Sequence, residues 1–204
     1  MHSSIIAIDP GPVHSAVMWL DHGEPCGRNA GAVLLQRIWN NHDALEILNS
    51  PLINEANPDV ISIEMVASYG MPVGAEVFDT CYWAGRFAEL AHRWSVPVQL
   101  VYRKDVKMHL CNSMRAKDSN IRQALIDRFG PGKEKAIGTK ENRGVCYGIK
   151  KDIWSALAVA VYTLDTLTDE QLVEMNKPYL ARRLNGLTAE SLRTKGQPTK
   201  TDAP

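Results

Sequence analysis

The sequence IIAIDPG, at residues 5–11, is the stretch from which the fold can be predicted. Four apolar residues lead directly into an acid, and the acid leads into Pro-Gly. A short apolar run rich in Ile and closed by Pro-Gly is typical of a buried strand. Asp9 then lies at the carboxyl end of that strand, where open α/β sheets place their ligands. Asp is also a common turn residue, so Asp9 taken alone indicates a turn as readily as a site.

A second stretch of the same kind, VISIE at residues 60–64, also ends a β-branched run in a single acid. If this strand lies parallel to the first, Glu64 emerges at the same edge of the sheet as Asp9. The alternative, an exposed carboxylate at a strand end, weakens when the two strands are considered together.

A third acid, Asp152, falls in the first turn of a strongly apolar helix that begins within residues 150–160. An acid there is favoured by the helix dipole, so Asp152 is equally well explained as an N-terminal cap or dipole partner. Ser155 follows three residues later and therefore lies on the same helix face.

The remaining elements indicate three antiparallel strands followed by alternating strands and helices. Turn signals, apolar periodicity and Pro positions set their limits. We predict strands at 15–20, 32–38 and 96–101, helices beginning at 41 or 42 and spanning 76–94, 119–129 and 168–184, and loops at 66–75 and 130–147.

The chain has 204 residues, of which 45% are hydrophobic, enough for one well-buried domain with a small appendage. We expect one main domain at 1–167, a helical appendage at 168–186 and a disordered tail at 187–204. No apolar run approaches the roughly 20 residues of a membrane span, and no signal peptide is visible. The four Cys are far apart, which argues against zinc and for a reduced, cytoplasmic chain.

Net charge is zero, but the charges are segregated along the chain. Residues 103–151 carry 13 Lys and Arg against 5 Asp and Glu, whereas residues 1–102 carry 4 against 11. A basic block inside an otherwise acidic chain is a candidate phosphate-contacting surface. Its alternative is a solvated loop and helix face rich in Lys, which charge patterning alone favours.

Three acids thus lie at two strand ends and one helix start, with no Cys or His beside them. Oxygen ligands of this kind suit Mg²⁺, or Mn²⁺ as a substitute, rather than zinc. Two such ions about 3.5–4 Å apart can activate a water and stabilise the leaving oxygen in phosphodiester cleavage. Asp9, Glu64 and Asp152 are therefore candidate catalytic residues.

With these acids in place, the sequence resembles the RuvC-type Holliday junction resolvases of the ribonuclease H-like nuclease superfamily, and among them the bacteriophage-encoded branch. The resemblance spans residues 4–166. It implies an α/β ribonuclease H-like fold, with a mixed five-stranded sheet and helices on both faces. Its motifs are IDPG at 8–11, IE at 63–64, SYGMPVG at 68–74, VK at 106–107, AK at 116–117 and DIWSALAVA at 152–160.

The resemblance implies that Asp9, Glu64 and Asp152 are metal ligands, with two ions per site. The family usually has a second acid three residues after the last of these, where this chain has Ser155. Ser155 could act through a water, another acid such as Asp105 could enter, or one metal could bind weakly. A degenerate site is also consistent with this departure.

Five residues are candidate DNA contacts. Lys107 matches a basic position of the family, Lys117 matches another one residue early, and Arg115 lies in the same basic block. Arg86 could contact phosphate, although an aliphatic stem packed on apolar surface is the common role for such a residue. Tyr69, in the Gly-rich loop, could stack on a base, although loop anchoring is more common for an aromatic residue.

The function implied by the resemblance is Mg²⁺-dependent hydrolysis of DNA at four-way (Holliday) or other branched junctions, by a homodimer with two symmetric sites. It would act in the cytoplasm, that of the host if the protein is phage-encoded. One alternative is a nuclease that acts on RNA/DNA hybrids or flaps, because fold does not fix substrate. Another is a branched-DNA-binding protein with little or no catalytic activity.

Overall fold

A mixed sheet of five strands forms the centre of the computed structural model, which describes residues 3–22, 32–51, 53, 58–68, 70, 72–168, 170–175 and 177. The strands lie in the order β3-β2-β1-β4-β5, with β1 antiparallel to β2, β2 antiparallel to β3, and β1, β4 and β5 parallel to one another. Their bounds are β1 Ser3–Asp9, β2 His14–His22, β3 Ala32–Asn40, β4 Val60–Met65 and β5 Val98–Tyr102.

Helices cover both faces of this sheet, as predicted. The longest are α2 and α6, and each packs on one of the two hydrophobic clusters that the sheet separates. No helix in the described part of the chain is long and apolar enough to cross a membrane. The helices are α1 Asn41–Leu48, α2 Ala75–Arg93, α3 Arg103–Cys111, α4 Asp118–Phe129, α5 Lys133–Ala136 and α6 Ile153–Thr166.

Residues 5–8 of strand β1 are buried on both faces, which explains why this stretch is continuously apolar. Ile5 and Ala7 face the cluster beneath α6, whereas Ile6 and Ile8 face the cluster beneath α2. Successive side chains of a strand alternate between its faces. Asp9 therefore continues the side of Ile5 and Ala7, which is the α6 side of the sheet.

Helix α6 is fixed to the sheet by apolar packing and by one buried polar pair. The Thr163 hydroxyl donates to the Ser62 hydroxyl of β4 at 2.8 Å, and both residues are 0% exposed. At the other side of the helix, Asp165 accepts from Arg128 of α4 at 2.6 and 2.8 Å. Asp165 also lies 2.7 Å from the Nε2 atom of His109 in α3. These contacts hold α3, α4 and α6 together.

The structure differs from the sequence prediction in two places and agrees with it in a third, as far as that part of the chain is described. Residues 103–111 form helix α3, for which no helix was predicted, because only Val106 of this helix is buried and its apolar signal is weak. The predicted loop at 130–147 contains the short helix α5 and a bridge between Gly138 and Arg143. The predicted helix at 168–184 is described only in part, with residues 170–175 helical.

Candidate active site

Asp9 and Glu64 lie side by side at the carboxyl edge of the sheet. Ile8 of β1 is paired with Ile63 of β4, so the two acids are the next residues of two adjacent parallel strands. Ser62 points to α6, where it meets Thr163, and Glu64 lies two residues on and therefore on the same face. Both carboxylates thus emerge on the α6 side of the sheet.

The turn after Asp9 is held by a buried side chain from α1. Asn41 is 1% exposed and donates from its side chain to the Gly11 carbonyl at 2.9 Å. Its side-chain oxygen accepts from the Ser15 hydroxyl at 2.6 Å, and its backbone N–H donates to the Val13 carbonyl at 3.0 Å. A buried amide with these partners fixes the backbone next to Asp9.

Asp152 and Ser155 enter the site from the start of α6. The Ser155 side chain is near enough to the Asp9 carboxylate to lower its pKa, and the charge of Asp152 raises the pKa of Asp9. Asp152 occupies the N-cap position, but its side chain makes no capping hydrogen bond, so the cap alternative finds no support there. The preceding residue, Lys151, has a φ of 47°, a left-handed conformation that turns the chain into α6.

The electrostatics of the two strand acids are those of a site crowded with carboxylates. Burial, together with the charges of Glu64 and Asp152, raises the pKa of Asp9 from 3.8 to about 8, against opposing effects of Arg103 and Ser155. Burial likewise raises the pKa of Glu64, although Arg103 opposes the rise. At a given pH, Asp9 and Glu64 therefore carry less negative charge in total than two carboxyl groups would carry in water.

Arg103, the first residue of α3, provides the positive charge within this group. Its Nη1 atom lies 3.3 and 3.4 Å from the two carboxylate oxygens of Glu64, and its Nη2 atom donates to Asp118 at 2.5 Å. Burial lowers the pKa of Arg103, but the carboxylates of Glu64 and Asp118 outweigh burial and keep it above the ordinary value. Arg103 thus links an acid of the sheet to the first residue of α4.

Two cavities meet at Arg103. One, of about 350 Å³, is lined by Asp9, Glu64 and Arg103 together with apolar residues of the loop after β4 and the start of α2. The other, of about 760 Å³, contains Asp152 and Ser155. Its charged lining is mainly basic and comprises Arg103, Arg122, Lys133, Lys150 and Lys151 against Asp118 and Asp152. An acidic group thus lies beside a basic cavity large enough for a polymer segment.

The donor set of this site fits Mg²⁺ or Mn²⁺, which prefer carboxylate and hydroxyl oxygens. A divalent cation would also offset the repulsion that raises the pKa of Asp9. Within the described ranges, no three His, Cys, Asp or Glu side chains form a group that could hold a metal ion as they lie. The cation that contacts Glu64 here is the guanidinium of Arg103.

The predicted DNA contacts do not all lie at this site. Arg86 lies 4.9 Å over the Trp83 ring and lines a separate cavity between α1 and α2, as expected of a packed stem. Lys107 is half-buried on α3, and Lys117 and Arg115 are exposed on the segment between α3 and α4. None of these four lines the basic cavity. Tyr69 lies outside the described residues.

Sequence reasoning missed several residues that the structure places here. Arg103, Lys150 and Lys151 belong to the predicted basic block, whose charge indicates a phosphate-contacting surface but does not single out these three residues. Asp118 directly follows Lys117, and nothing local in its sequence indicates that it pairs with Arg103. Asp105, the acid considered in place of Ser155, is absent from the linings of the two cavities that meet at Arg103.

Comparisons with known proteins bear on the fold. No family model and no curated protein matches the chain. RuvC of Thermus thermophilus superposes with a TM-score of 0.58 at 16% identity, covering 79% of this chain and 93% of that one. Its structure in complex with a Holliday junction substrate gives 0.57 at 17% identity, covering 80% and 93%.

A third solved structure is the fowlpox virus resolvase in complex with Holliday junction DNA. It superposes with a TM-score of 0.50 at 12% identity, covering 80% of this chain and 99% of that one. The mixed five-stranded sheet with its helices matches the α/β fold of these neighbours. The resemblance is therefore confirmed in its architecture, and the chain has the RuvC-like, ribonuclease H-like α/β fold.

Proposed function

We propose that the protein is a divalent-metal-dependent endonuclease that hydrolyses DNA at four-way (Holliday) or other branched junctions. One observation carries the proposal: Asp9 lies beside Glu64 and is acted on by the charge of Asp152 and by Ser155, next to a basic cavity at the carboxyl edge of a RuvC-like sheet. Acids that are buried among acids raise the free energy of the folded protein. A binding or catalytic role explains why they are nevertheless found together.

The choice of substrate is supported by charge and by structural similarity. Two of the similar solved structures contain Holliday junction DNA, and both cover four fifths of this chain. The basic cavity next to the acids offers five cationic side chains, which suits a phosphodiester backbone. DNA is therefore the substrate class that agrees with both observations.

Each residue of the site has a distinct proposed role. Asp9, Glu64 and Asp152 would hold the two metal ions, with Ser155 orienting Asp9 through its hydroxyl. Bound Mg²⁺, or Mn²⁺ in its place, would activate the attacking water and stabilise the charge on the leaving oxygen. Lys150 and Lys151, immediately before Asp152, would hold the phosphodiester in the basic cavity.

The contribution of the sequence-predicted basic residues is a separate proposal. Lys107, Lys117 and Arg115 would contact DNA outside the basic cavity, on the side of α3 and the segment that follows it. Arg86, stacked on Trp83, would contact DNA only on another surface. Tyr69, which lies outside the described residues, stays a predicted base-stacking contact. Substitution of each of these residues would test how far the bound DNA extends from the acids.

The working unit that we propose is a homodimer, because resolution of a four-way junction requires two cuts. Exposed aromatic residues on α2, Phe78 at 65% and Tyr82 at 59%, offer apolar surface for contact between copies. We also propose a cytoplasmic location, and the free state of Cys81, Cys111 and Cys146 is consistent with it.

Two other functions follow from specific observations. Ser155 in place of an acid, and Arg103 in contact with Glu64, would both weaken metal binding and favour a branched-DNA-binding protein of low activity. A nuclease for RNA/DNA hybrids or flaps would use the same acids, and the fold does not distinguish it.

A cleavage assay on a panel of substrates tests the proposal. A four-way junction, a flap, a linear duplex and an RNA/DNA hybrid are incubated with Mg²⁺, with Mn²⁺ or with chelator. We expect paired cuts near the branch point only, which disappear with chelator and in Asp9→Asn. Cleavage of the RNA/DNA hybrid alone would support the proposed active site but contradict branched DNA as its substrate. Metal-independent binding without cleavage would support the binding protein.

A further inference from the structure

We infer that Arg103 is a built-in counter-cation that competes with divalent metal for Glu64, and that Asp118 is the second position that holds its guanidinium when metal takes the first. This inference rests on the proposed metal site and concerns how that site is filled. It assigns a role to two residues that lie outside the proposed ligand set.

The geometry allows only the Arg103 side chain to move easily. Its backbone begins α3 directly after β5, and β5 is paired with β4 so that Val101 lies opposite Glu64. The position of the Arg103 backbone relative to Glu64 is therefore fixed by the sheet. The side chain is 26% exposed and borders both cavities, so it has space to leave Glu64.

The two contacts of the guanidinium are unequal. A single nitrogen, Nη1, lies 3.3 and 3.4 Å from the two Glu64 oxygens, at the long end of hydrogen-bond geometry. The other nitrogen, Nη2, donates to Asp118 at 2.5 Å, which is a close contact. Arg103 thus makes its shorter contact with Asp118 and its longer contact with Glu64, so that loss of the Glu64 contact leaves a partner in place.

Glu64 and Asp118 also differ in their exposure to solvent. The Glu64 side chain is 12% exposed, whereas the Asp118 side chain is 81% exposed. A buried carboxylate without a cation is unfavourable, so in the metal-free protein Glu64 needs Arg103. Asp118 lies in the first turn of α4, where the helix dipole favours a carboxylate, and it can retain a guanidinium in water.

Metal and guanidinium cannot both neutralise Glu64 at full strength, because each uses the same carboxylate oxygens. Metal entry should therefore move Arg103 away from Glu64 and onto Asp118 alone. Since Arg103 also lines the basic cavity, this movement would turn its positive charge toward the bound phosphodiester. Metal binding would thus increase the positive charge that the basic cavity presents to DNA, through the Arg103 side chain.

The test is isothermal titration of the full-length protein with Mn²⁺ at fixed pH and without DNA, so that activity plays no part. Arg103→Gln removes the competitor, and we expect the dissociation constant for Mn²⁺ to fall on the order of tenfold. Asp118→Asn removes the second position and leaves Arg103 on Glu64, so the dissociation constant should rise several-fold. The double variant should match Arg103→Gln alone, because Asp118 acts only through Arg103.

Competition predicts tighter Mn²⁺ binding in Arg103→Gln and weaker binding in Asp118→Asn. If the ion pair only supported the structure, its loss would weaken Mn²⁺ binding in both variants. Weaker or unchanged binding in Arg103→Gln would overturn the inference. Arg103→Lys, which keeps the charge with a smaller head group, provides a second variant and should bind Mn²⁺ with intermediate affinity. Wild-type protein that binds no Mn²⁺ at millimolar concentrations would overturn the metal site as well. If the dissociation constants for Mn²⁺ change as expected but the protein cleaves no DNA, the inference about Arg103 stands and the proposed nuclease activity fails.

Discussion

Asp9 is the residue whose surroundings reveal most about the site. It is desolvated, it lies beside Glu64 and near Asp152, and only Arg103 and the Ser155 hydroxyl oppose the rise of its pKa to about 8. A chain selected for stability alone would place a neutral residue here. Strained electrostatics at a site are common in proteins that bind a charged ligand.

The stability of the metal-free protein should depend on pH through Asp9. Its folded pKa of about 8 lies above its ordinary value of 3.8, so the folded state keeps a proton that the unfolded chain releases. The contribution of this group to stability is therefore complete below about pH 4 and is lost as pH rises toward 8. Asp9→Asn removes this loss.

We expect Asp9→Asn in chelator to raise the melting temperature at pH 8 by a few degrees, at about 2–4 °C per kcal/mol for a chain of this size. At pH 5 the gain should be smaller. Differential scanning fluorimetry checks both values, with Asp79→Asn, an exposed Asp on α2, as the matched control. A lower melting temperature at pH 8 would contradict the account.

Ser155 offers a second prediction, because it occupies the place of the missing acid. Ser155→Asp adds a carboxylate beside Asp9, so the metal-free melting temperature should fall by several degrees. Mg²⁺ should then raise the melting temperature more than it does in the wild type, because a fourth acid binds the cation. Ser155→Ala is the control, and the same response to Mg²⁺ in both variants would show that position 155 does not face the metal.

The residues of the site differ in how far the sequence reveals them. Asp9, Glu64 and Asp152 could be predicted because each ends or begins a buried element, which the apolar pattern locates. Arg103 and Asn41 could not, because their roles depend on contacts with residues 39 and 30 positions away. Such contacts exist only after the sheet has brought β1, β4 and β5 together.

At the scale of elements, the placement of α6 decides whether Asp152 and Ser155 reach Asp9. The hydroxyl pair of Ser62 and Thr163 is the buried polar link between this helix and β4. Thr163→Val removes the donor and leaves the Ser62 hydroxyl buried without it. We expect a loss of about 1–3 kcal/mol in the free energy of unfolding, measured by urea denaturation.

The double variant Ser62→Ala, Thr163→Val removes both hydroxyls and provides the control. Its loss should be smaller than the sum of the two single losses by at least about 0.5 kcal/mol, because no polar group is then left unpaired. Additive losses would show that the pair does not link the helix to the strand.

Helices and strands could be predicted where their burial produces a clear pattern of apolar residues in the sequence. Strand β1 and helix α6 contain continuous runs of buried apolar residues, and these runs locate both elements in the sequence. Helix α3 is the counterexample, since it buries only Val106 and presents its charged residues to solvent or to the site. An element selected for charge rather than burial carries little periodic signal.

At the scale of the whole molecule, an acidic group and a basic cavity adjoin at one edge of the sheet. Lys150 and Lys151 are exposed residues of that cavity. If they contact phosphates, Lys150→Gln and Lys151→Gln should each reduce the slope of log binding constant against log salt by about 1. Fluorescence anisotropy with a four-way junction in chelator measures the slope.

Lys140→Gln provides the matched control, because Lys140 is an exposed residue of the same basic block that does not line the cavity. It should leave the slope unchanged. The same measurement on Lys107→Gln, Lys117→Gln, Arg115→Gln and Arg86→Gln would show which sequence-predicted contacts DNA reaches. Equal slopes for the Lys150, Lys151 and Lys140 variants would place the DNA elsewhere.

The central claim is that the converging acids cut branched DNA, and a supercoiled plasmid that extrudes a cruciform tests it most directly. With Mg²⁺, wild-type protein should convert this plasmid to the linear form by paired cuts at the cruciform. A plasmid without the inverted repeat should stay supercoiled, and Asp9→Asn should bind the cruciform without cutting it. Intact cruciform plasmid with wild-type protein in both Mg²⁺ and Mn²⁺, or equal cutting by Asp9→Asn, would contradict the account.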